Sequence, residues 1–252
     1  MPEFIVFLFG LLVGSFLNLC IYRLPLNESI IHPSSNCDQC HTKLQIRDLI
    51  PVVSFLFLRG HCRHCGGGLP HRYPVIELVT GFVFLWSYFV WGLTPQLAVG
   101  LVFASFMIVI TVIDYDHRLI FDKVLVRLAG SGVAINLLIG NVSLWDMIGG
   151  FFAGGGILFA LAFGSMVLAG QEGMGMGDVK FMAVLGLWLG IKLILLTITL
   201  SFLLGGFGGM LLLALKIKGR KDVIPFGPSI AAAAWIALLY GKEIIAWYSR
   251  QL

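Results

Sequence analysis

Two aspartates have sequence surroundings that favour catalysis over simple solvation. Asp114 lies in "TVIDYDHRLIFD" and Asp178 follows alternating glycines in "GMGMGDVK". Both border long apolar stretches, where an ionisable side chain is costly and by default marks a functional site. Two close carboxyls cannot both ionise cheaply, so one keeps a proton while the other acts as a base. Such a pair activates water against an amide and protonates its carbonyl.

The glycines before Asp178 predict an unusual entry into the following helix. Gly175 and Gly177 are expected to let the backbone approach a neighbour closely and to adopt positive φ. An aspartate at a helix start is also favoured by the helix dipole. The simpler alternative for Asp178 is an N-cap at a membrane surface.

Three further carboxylates lie near the same membrane boundary. Asp122 is counted as a supporting residue of the site, and Glu77, in "HRYPVIELVTG", is expected to cap its helix or bind a cationic group. Asp116 and Asp122 have the alternative of pairing with nearby cations in a solvated loop, and this alternative is favoured for Asp116. The available cations are Arg118, Lys123 and Arg127.

Four of the five cysteines form two C-x-x-C pairs, which are separated by 21 residues. This spacing allows two knuckles to close one tetrahedral zinc site, with Cys37, Cys40, Cys62 and Cys65 as ligands. Two disulfides are the alternative, but the charge distribution places this segment in the reducing cytosol. Four thiolates leave no position for water, so the zinc would be structural. Cys20, inside the first apolar run, is interpreted as a small buried hydrophobe.

The elements that position these residues are membrane helices. The 252 residues are 58% hydrophobic and 12% charged, which is typical of an all-α polytopic membrane protein. About eight transmembrane helices are predicted, with a break near Lys192 because 179–215 is too long for one crossing. The predicted spans are Phe4–Tyr22, Val75–Trp91, Gln96–Ile113, Val124–Ile139, Met147–Leu168, Val179–Leu189, Leu193–Leu215 and Ile230–Trp247.

The positive charges predict the orientation of these spans. If Met1 lies outside and loops alternate, fourteen of the seventeen Lys and Arg residues fall on the cytoplasmic side. The third span then runs inward and the sixth outward, which brings Asp114 and Asp178 to the same face. The expected domains are a first helix at 1–23, a small cytoplasmic zinc-binding loop domain at 24–74 and a multi-helix peptidase domain at 75–252. The net charge of +4 needs no nucleic-acid partner, because anionic lipid accounts for it.

These stretches, in this order, resemble the type IV prepilin peptidase family of membrane aspartic peptidases, which carry a G-x-G-D motif. The resemblance covers nearly the whole chain. Besides the segments already quoted, it includes "GSFLNLCIYRLP", "DLIPVVSFLFLRG" between the cysteine pairs, and the late "IPFGPSIA". One departure is Phe121, which directly precedes Asp122 at a position where family members often have a proline.

The resemblance implies a function as well as a fold. Asp114 and Asp178 correspond to the catalytic aspartates, and the four cysteines correspond to a zinc-type cytoplasmic domain. Family members remove the basic leader of type IV prepilins or pseudopilins at the cytoplasmic face of the bacterial inner membrane. Many then methylate the new N-terminus with S-adenosylmethionine, and Glu77 is a candidate contact for that methyl donor or for the substrate. The "PFGP" stretch fits either a substrate-facing break or a simple helix start with proline in its first turn.

Other classes of protein remain alternatives. A transporter or channel could use the two aspartates as a proton or cation site, although no internal repeat is evident. A metal-dependent membrane scaffold would need the cysteines but would tolerate asparagine at both aspartates. A metallopeptidase or serine peptidase is disfavoured, because the chain has no H-E-x-x-H and no evident nucleophilic serine motif.

Overall fold

The structure is a computed structural model that describes residues 1–32, 35–37, 39–170, 174–216, 219 and 224–251. Outside these residues lie Asp38 of the first C-x-x-C pair, Gly173 of "GMGMGDVK", and three cations of the charge count, Lys218, Arg220 and Lys221. The described chain is helical and has only two isolated β-bridges. Its α-helices are α1 (Pro2–Arg23), α2 (Val53–Phe57), α3 (Arg72–Trp91), α4 (Pro95–His117), α5 (Asp122–Ile139), α6 (Leu144–Ala169), α7 (Met176–Ala214) and α8 (Gly227–Ser249), with a 3₁₀ turn at Ile46–Leu49.

The helices confirm the predicted all-α membrane architecture. Six of them, α1, α3, α4, α6, α7 and α8, are long and apolar enough to cross a membrane. The predicted sixth and seventh spans both fall within α7, which has 39 residues and a non-helical break at Gly190. That break lies two residues before the predicted one at Lys192. The predicted fourth span corresponds to α5, which is less apolar than the other long helices.

The chain divides into two compact units, Met1–Val109 and Ile110–Leu252. In the first unit α1 packs closely on α3 through Gly10 and Gly14. A Cβ at Gly10 would lie 2.7 Å from the Cα of Gly81, and a Cβ at Gly14 would lie 2.7 Å from the Cα of Glu77. Small residues four apart allow such close approach of membrane helices. The domain limits at 24 and 75 stay a prediction.

In the second unit α7 packs along α6 through glycines on both helices. A Cβ at Gly150 would clash with the backbone of Gly186, so neither position accepts a side chain without movement. The buried Asn136 of α5 donates from Nδ2 to the Leu187 carbonyl (2.9 Å) and the Trp188 carbonyl (3.3 Å). These carbonyls precede the break at Gly190, where a helix cannot supply its own donors. Asn136, a polar residue within the predicted fourth span, therefore stabilises the break in α7.

Candidate active site and metal centre

Asp114 is a buried carboxylate near the C-terminal end of α4. Its Oδ2 accepts a hydrogen bond of 3.0 Å from the backbone N–H of Gly227, the first residue of α8. A Cβ on residue 227 would lie 2.5 Å from the same oxygen. Glycine is therefore the residue that lets the start of α8 approach this carboxylate. Pro228 lies in the first turn of α8, which agrees with the helix start that was one of the two alternatives for "PFGP".

Asp178 lies in the first turn of α7 and is partly buried. Its backbone N–H donates to the Gly175 carbonyl (3.1 Å), and its carboxyl interacts electrostatically with that of Asp114. The two aspartates, which are 64 positions apart in sequence, are thus close enough in the second unit to interact electrostatically. Their catalytic role stays a prediction.

The expected positive φ of the two glycines before Asp178 is wrong. Gly175 is the N-cap of α7 with φ −69° and ψ 142°, and Gly177 lies inside the first turn. What Gly177 supplies is space, because a Cβ there would lie 3.3 Å from the Cβ of Ile120. The first turn of α7 therefore packs tightly against the connection between α4 and α5.

Asp122 pairs with Lys180 rather than with one of the nearby cations considered from sequence. The Lys180 Nζ lies 2.9 Å from Oδ1 and 3.0 Å from Oδ2 of Asp122. Both side chains are largely exposed, so the pair contributes little to stability. It does join the start of α5 to α7 two residues after Asp178.

The four predicted cysteines converge on one point of the first unit. The Sγ atoms of Cys37, Cys40, Cys62 and Cys65 all lie within 4.8 Å of one another, and none forms a disulfide. The Cys37 and Cys65 sulfurs are 3.9 Å apart. Zn–S bonds of about 2.3 Å at tetrahedral angles separate sulfurs by roughly 3.8 Å. The cluster therefore has the donor set and the size of a tetrathiolate metal site.

The two knuckles have the same backbone hydrogen bonds. In the first knuckle the Cys37 N–H donates to the Thr42 carbonyl, and the Cys37 carbonyl accepts from the His41 N–H. In the second knuckle the Cys62 N–H donates to the Gly67 carbonyl, and the Cys62 carbonyl accepts from the Gly66 N–H. The residue after each C-x-x-C has positive φ, 54° at His41 and 68° at Gly66. This repeated turn aims both sulfurs of a pair at one centre.

The thiols differ in how readily they lose a proton. Hydrogen bonds from the side chain and backbone of Thr42 lower the pKa of Cys40 to about 6. The Gly67 amide lowers the pKa of Cys65, but burial and the neighbouring thiols outweigh it and raise that pKa to about 11. Four crowded sulfurs cannot all carry a charge without a cation, and a metal ion supplies that charge.

The second knuckle is fixed to the rest of the loop by an ion pair. Arg63 Nε donates to Asp48 Oδ1 at 2.8 Å, and the Gln45 N–H donates to Oδ2 at 3.1 Å. Burial raises the pKa of Asp48, but the Arg63 and Gln45 hydrogen bonds outweigh it and lower the pKa below the usual range. Arg63 lies between Cys62 and Cys65, so this pair orients the second C-x-x-C turn.

Glu77 is buried in α3 rather than exposed at a membrane boundary. Its Oε2 accepts a 2.7 Å hydrogen bond from the Val52 N–H, and the Ser15 side chain also hydrogen-bonds to it. Val52 is the N-cap of α2 and has φ 61°. Glu77 therefore holds the start of α2 instead of capping its own helix, and it lines a cavity of about 620 Å³ in the first unit.

Two contacts of the site were not predicted, although their residues lie in quoted motifs. The Gly227 amide belongs to "IPFGPSIA" and Lys180 ends "GMGMGDVK". The sequence signals were an unusual glycine between prolines and a lysine two positions after the aspartate. Neither signal identifies its partner, because both partners are distant in sequence.

Two interacting aspartates on membrane helices, together with a cluster of four cysteines that could hold a metal ion, define a class of membrane protein with a candidate acid–base site and a candidate metal site. The chain also matches known proteins. Residues 8–91 match the bacterial peptidase A24 N-terminal domain, and residues 101–210 match the type IV leader peptidase family. No solved structure matches the chain.

Curated relatives match over almost the whole chain. A prepilin leader peptidase/N-methyltransferase of Aeromonas hydrophila is 36% identical over 97% of this chain and 92% of its own length. Proteins with the same name from Bacillus subtilis (36% identical, 97% of this chain and 96% of theirs) and Pseudomonas aeruginosa (35%, 96% and 91%) are similar. The chain belongs to the type IV leader peptidase family.

Proposed function

We propose that this chain is a membrane aspartic endopeptidase that removes the leader peptide of type IV prepilins or pseudopilins and then methylates the new N-terminal amine. The single observation that carries the peptidase activity is that Asp114, held by the Gly227 amide, and Asp178 at the start of α7 are close enough to interact electrostatically. The relatives' shared name supports both activities.

The proposed chemistry needs one proton shared between the two carboxyls. The charged carboxyl removes a proton from water, and the resulting hydroxide attacks the carbonyl carbon of the scissile amide. The protonated carboxyl donates to the carbonyl oxygen, which gives a tetrahedral diol. When the C–N bond breaks, the carboxyl that took the proton from water gives it to the leaving nitrogen. The other carboxyl takes a proton back from one diol hydroxyl, which leaves a carboxylic acid and restores the starting pair of carboxyls. Atoms and charge balance without a metal ion.

The proposed substrate has an apolar segment directly after the cleaved bond, and an open groove of about 640 Å³ suits such a segment. It runs between α5, α6 and α7, with Phe152 and Phe159 on one wall. Val179 and Lys180, which directly follow Asp178, line its end, where Lys180 pairs with Asp122. The groove is thus apolar along its walls and charged only beside the candidate carboxyl. A helix that becomes polar at its cleavage junction matches this pattern.

We also propose that the cysteine cluster and the aspartates face the cytoplasm, which the predicted excess of cytoplasmic Lys and Arg supports. The cluster would hold one structural zinc through its four thiolates. Zinc would fix the two knuckles of a segment too small to build a large core of its own. Purified protein should contain about one zinc per chain, and replacement of a cysteine pair by serines should remove it.

Residues of the first unit fit S-adenosylmethionine, which when bound supplies an electrophilic methyl group to an amine. The cavity has the volume of a small-molecule site. It combines apolar side chains with the buried carboxylate of Glu77, which suits a cationic ligand. Glu77 and Asn18 would hold positively charged groups that carry N–H donors.

The test is cleavage of a purified prepilin in detergent, with product mass as the readout. Wild-type protein should yield a product that lacks its leader and, with S-adenosylmethionine present, gains one methyl group. Asp114→Asn and Asp178→Asn should each lose cleavage. Asp146→Asn is the matched control, because Asp146 is an exposed aspartate in the first turn of α6. Full cleavage by either site variant would remove that residue from the pair.

A further inference from the structure

Asn18 of α1 has two polar atoms with different surroundings. It is buried, with 7% of its surface exposed. Its Nδ2 donates to the Tyr73 carbonyl at 3.1 Å, which fixes the amide orientation because a carbonyl accepts only from the nitrogen. The Oδ1 on the other side has no hydrogen-bond partner. A buried acceptor without a donor costs about 1–3 kcal/mol, so this atom needs an explanation.

The same region contains a buried carboxylate without a cation. Glu77 accepts only from the Val52 amide and the Ser15 side chain, and no ion pair to it forms within the described part of the chain. Asn18, Ser15, Tyr73 and Glu77 all line the 620 Å³ cavity. The two residues that carry this acceptor and this anion, neither with a cationic donor, therefore border one space large enough for a small molecule.

We infer that Asn18 Oδ1 and the Glu77 carboxylate form a recognition site for a primary ammonium group in this cavity. An ammonium carries three N–H donors and one positive charge, so it satisfies the orphaned acceptor and compensates the buried carboxylate together. This inference rests on the proposed methyl transfer and makes it more specific. The ammonium belongs either to the amino-acid part of the methyl donor or to the newly exposed N-terminus of the substrate.

Other charges around the cavity leave these two groups available. Arg23 donates to the Ser29 carbonyl at 2.9 Å, and Arg63 pairs with Asp48. Both arginines line the cavity, and these partners already occupy their guanidinium groups. Neither is needed to neutralise Glu77.

Two substitutions separate recognition from a structural role of Asn18. Asn18→Asp keeps an oxygen acceptor and adds negative charge, but it loses the donor to Tyr73. Asn18→Leu loses both. A purely structural role predicts equal loss of binding in both variants, whereas ammonium recognition predicts that only Asn18→Leu loses it. Thr80→Val is the matched control, because Thr80 is fully buried in α3 and bonds within its own helix to Ile76.

The measurement is calorimetric binding to the full-length protein in detergent, with S-adenosylhomocysteine and a short peptide with a free N-terminal phenylalanine as separate probes. Asn18→Leu should raise the Kd of the recognised probe at least tenfold. Asn18→Asp and Thr80→Val should bind it with a Kd within about threefold of the wild-type value. The desamino analogue of S-adenosylhomocysteine and the N-acetylated peptide identify which ammonium is bound, because the relevant analogue loses affinity. Thermal unfolding and metal content verify that each variant is folded.

Several outcomes overturn the inference. Equal loss in the aspartate and leucine variants assigns Asn18 a structural role. Undiminished binding of the probes to Asn18→Leu would show that this site does not recognise an ammonium group. Equal affinity for the desamino and acetylated analogues and for their parent probes would show the same. If wild-type protein binds neither probe in the presence of the other, the methyltransferase part of the proposed function fails as well, independently of Asn18.

Discussion

Gly227→Ala tests whether the start of α8 positions Asp114. The new Cβ would lie 2.5 Å from Asp114 Oδ2, 2.9 Å from its Cγ and 3.2 Å from its Cβ. Ordinary contacts begin near 3.4 Å. The carboxyl or the helix start must therefore move by about 1 Å, and a displacement of that size in a catalytic group costs roughly 10²-fold in rate.

The energetic cost agrees with this expectation. Overpacking a tight contact costs about 1–3 kcal/mol, and a 10²-fold loss corresponds to about 2.7 kcal/mol of transition-state stabilisation. Because the contact is proposed to position a catalytic group rather than the substrate, we expect kcat to fall while KM stays nearly constant. Steady-state cleavage of a prepilin by purified enzyme measures both constants.

Two glycines in α7 provide the control. A Cβ at Gly206 or Gly208 would meet nothing within 4 Å, so Gly206→Ala and Gly208→Ala should cleave at the wild-type rate. Methylation of a pre-cleaved peptide by Gly227→Ala should also persist, which would exclude general unfolding. A Gly227→Ala enzyme with wild-type kcat would refute the view that this contact positions Asp114.

Three further predictions follow from other contacts. Asn136→Leu removes the hydrogen bonds from Asn136 to the Leu187 and Trp188 carbonyls, so it should lower the free energy of unfolding by about 1–3 kcal/mol. A denaturant titration in detergent measures this, and unchanged stability would contradict the role given to Asn136 at the break. Zinc affinity should rise at least tenfold per pH unit between pH 7 and 9, because the Cys65 thiol, with a pKa of about 11, must lose its proton to bind. Competition with a chromophoric chelator measures this affinity, and a pH-independent result would exclude the prediction. Gly156→Leu should raise KM for a membrane-embedded prepilin but not for a peptide without the apolar segment, because Gly156 lines the groove and a Cβ there would meet nothing within 4 Å. Gly164→Leu on the same helix should leave KM unchanged for both substrates. Equal effects of Gly156→Leu on both substrates would place the apolar segment elsewhere.

Much of the architecture could be predicted because it depends on local sequence. Long apolar runs select helices, and alternation of direction was enough to bring Asp114 and Asp178 to one face. The cysteine cluster followed from the spacing of its knuckles. These inferences use only periodicity, spacing and charge, which a single sequence contains.

The contacts that fix the site depend on long-range packing and could not be predicted. The Gly227 amide reaches Asp114 across 113 positions, and Lys180 reaches Asp122 across 58. The error at Gly175 and Gly177 has a related cause. Both close approach and positive φ were expected of these glycines, but only close approach is observed, at Gly177 beside Ile120, and sequence alone does not distinguish these two uses.

The first turn of α7 contributes three adjacent residues to the candidate site and its surroundings. Successive helical residues point about 100° apart, so Asp178, Val179 and Lys180 face different neighbours. Asp178 interacts with Asp114, Val179 lines the groove and Lys180 pairs with Asp122. One helical turn therefore combines the acid–base group, the end of the proposed substrate groove and the ion pair to α5. Any movement of this turn changes all three together, which makes the tight packing of Gly177 on Ile120 a requirement of the site rather than a detail of the fold.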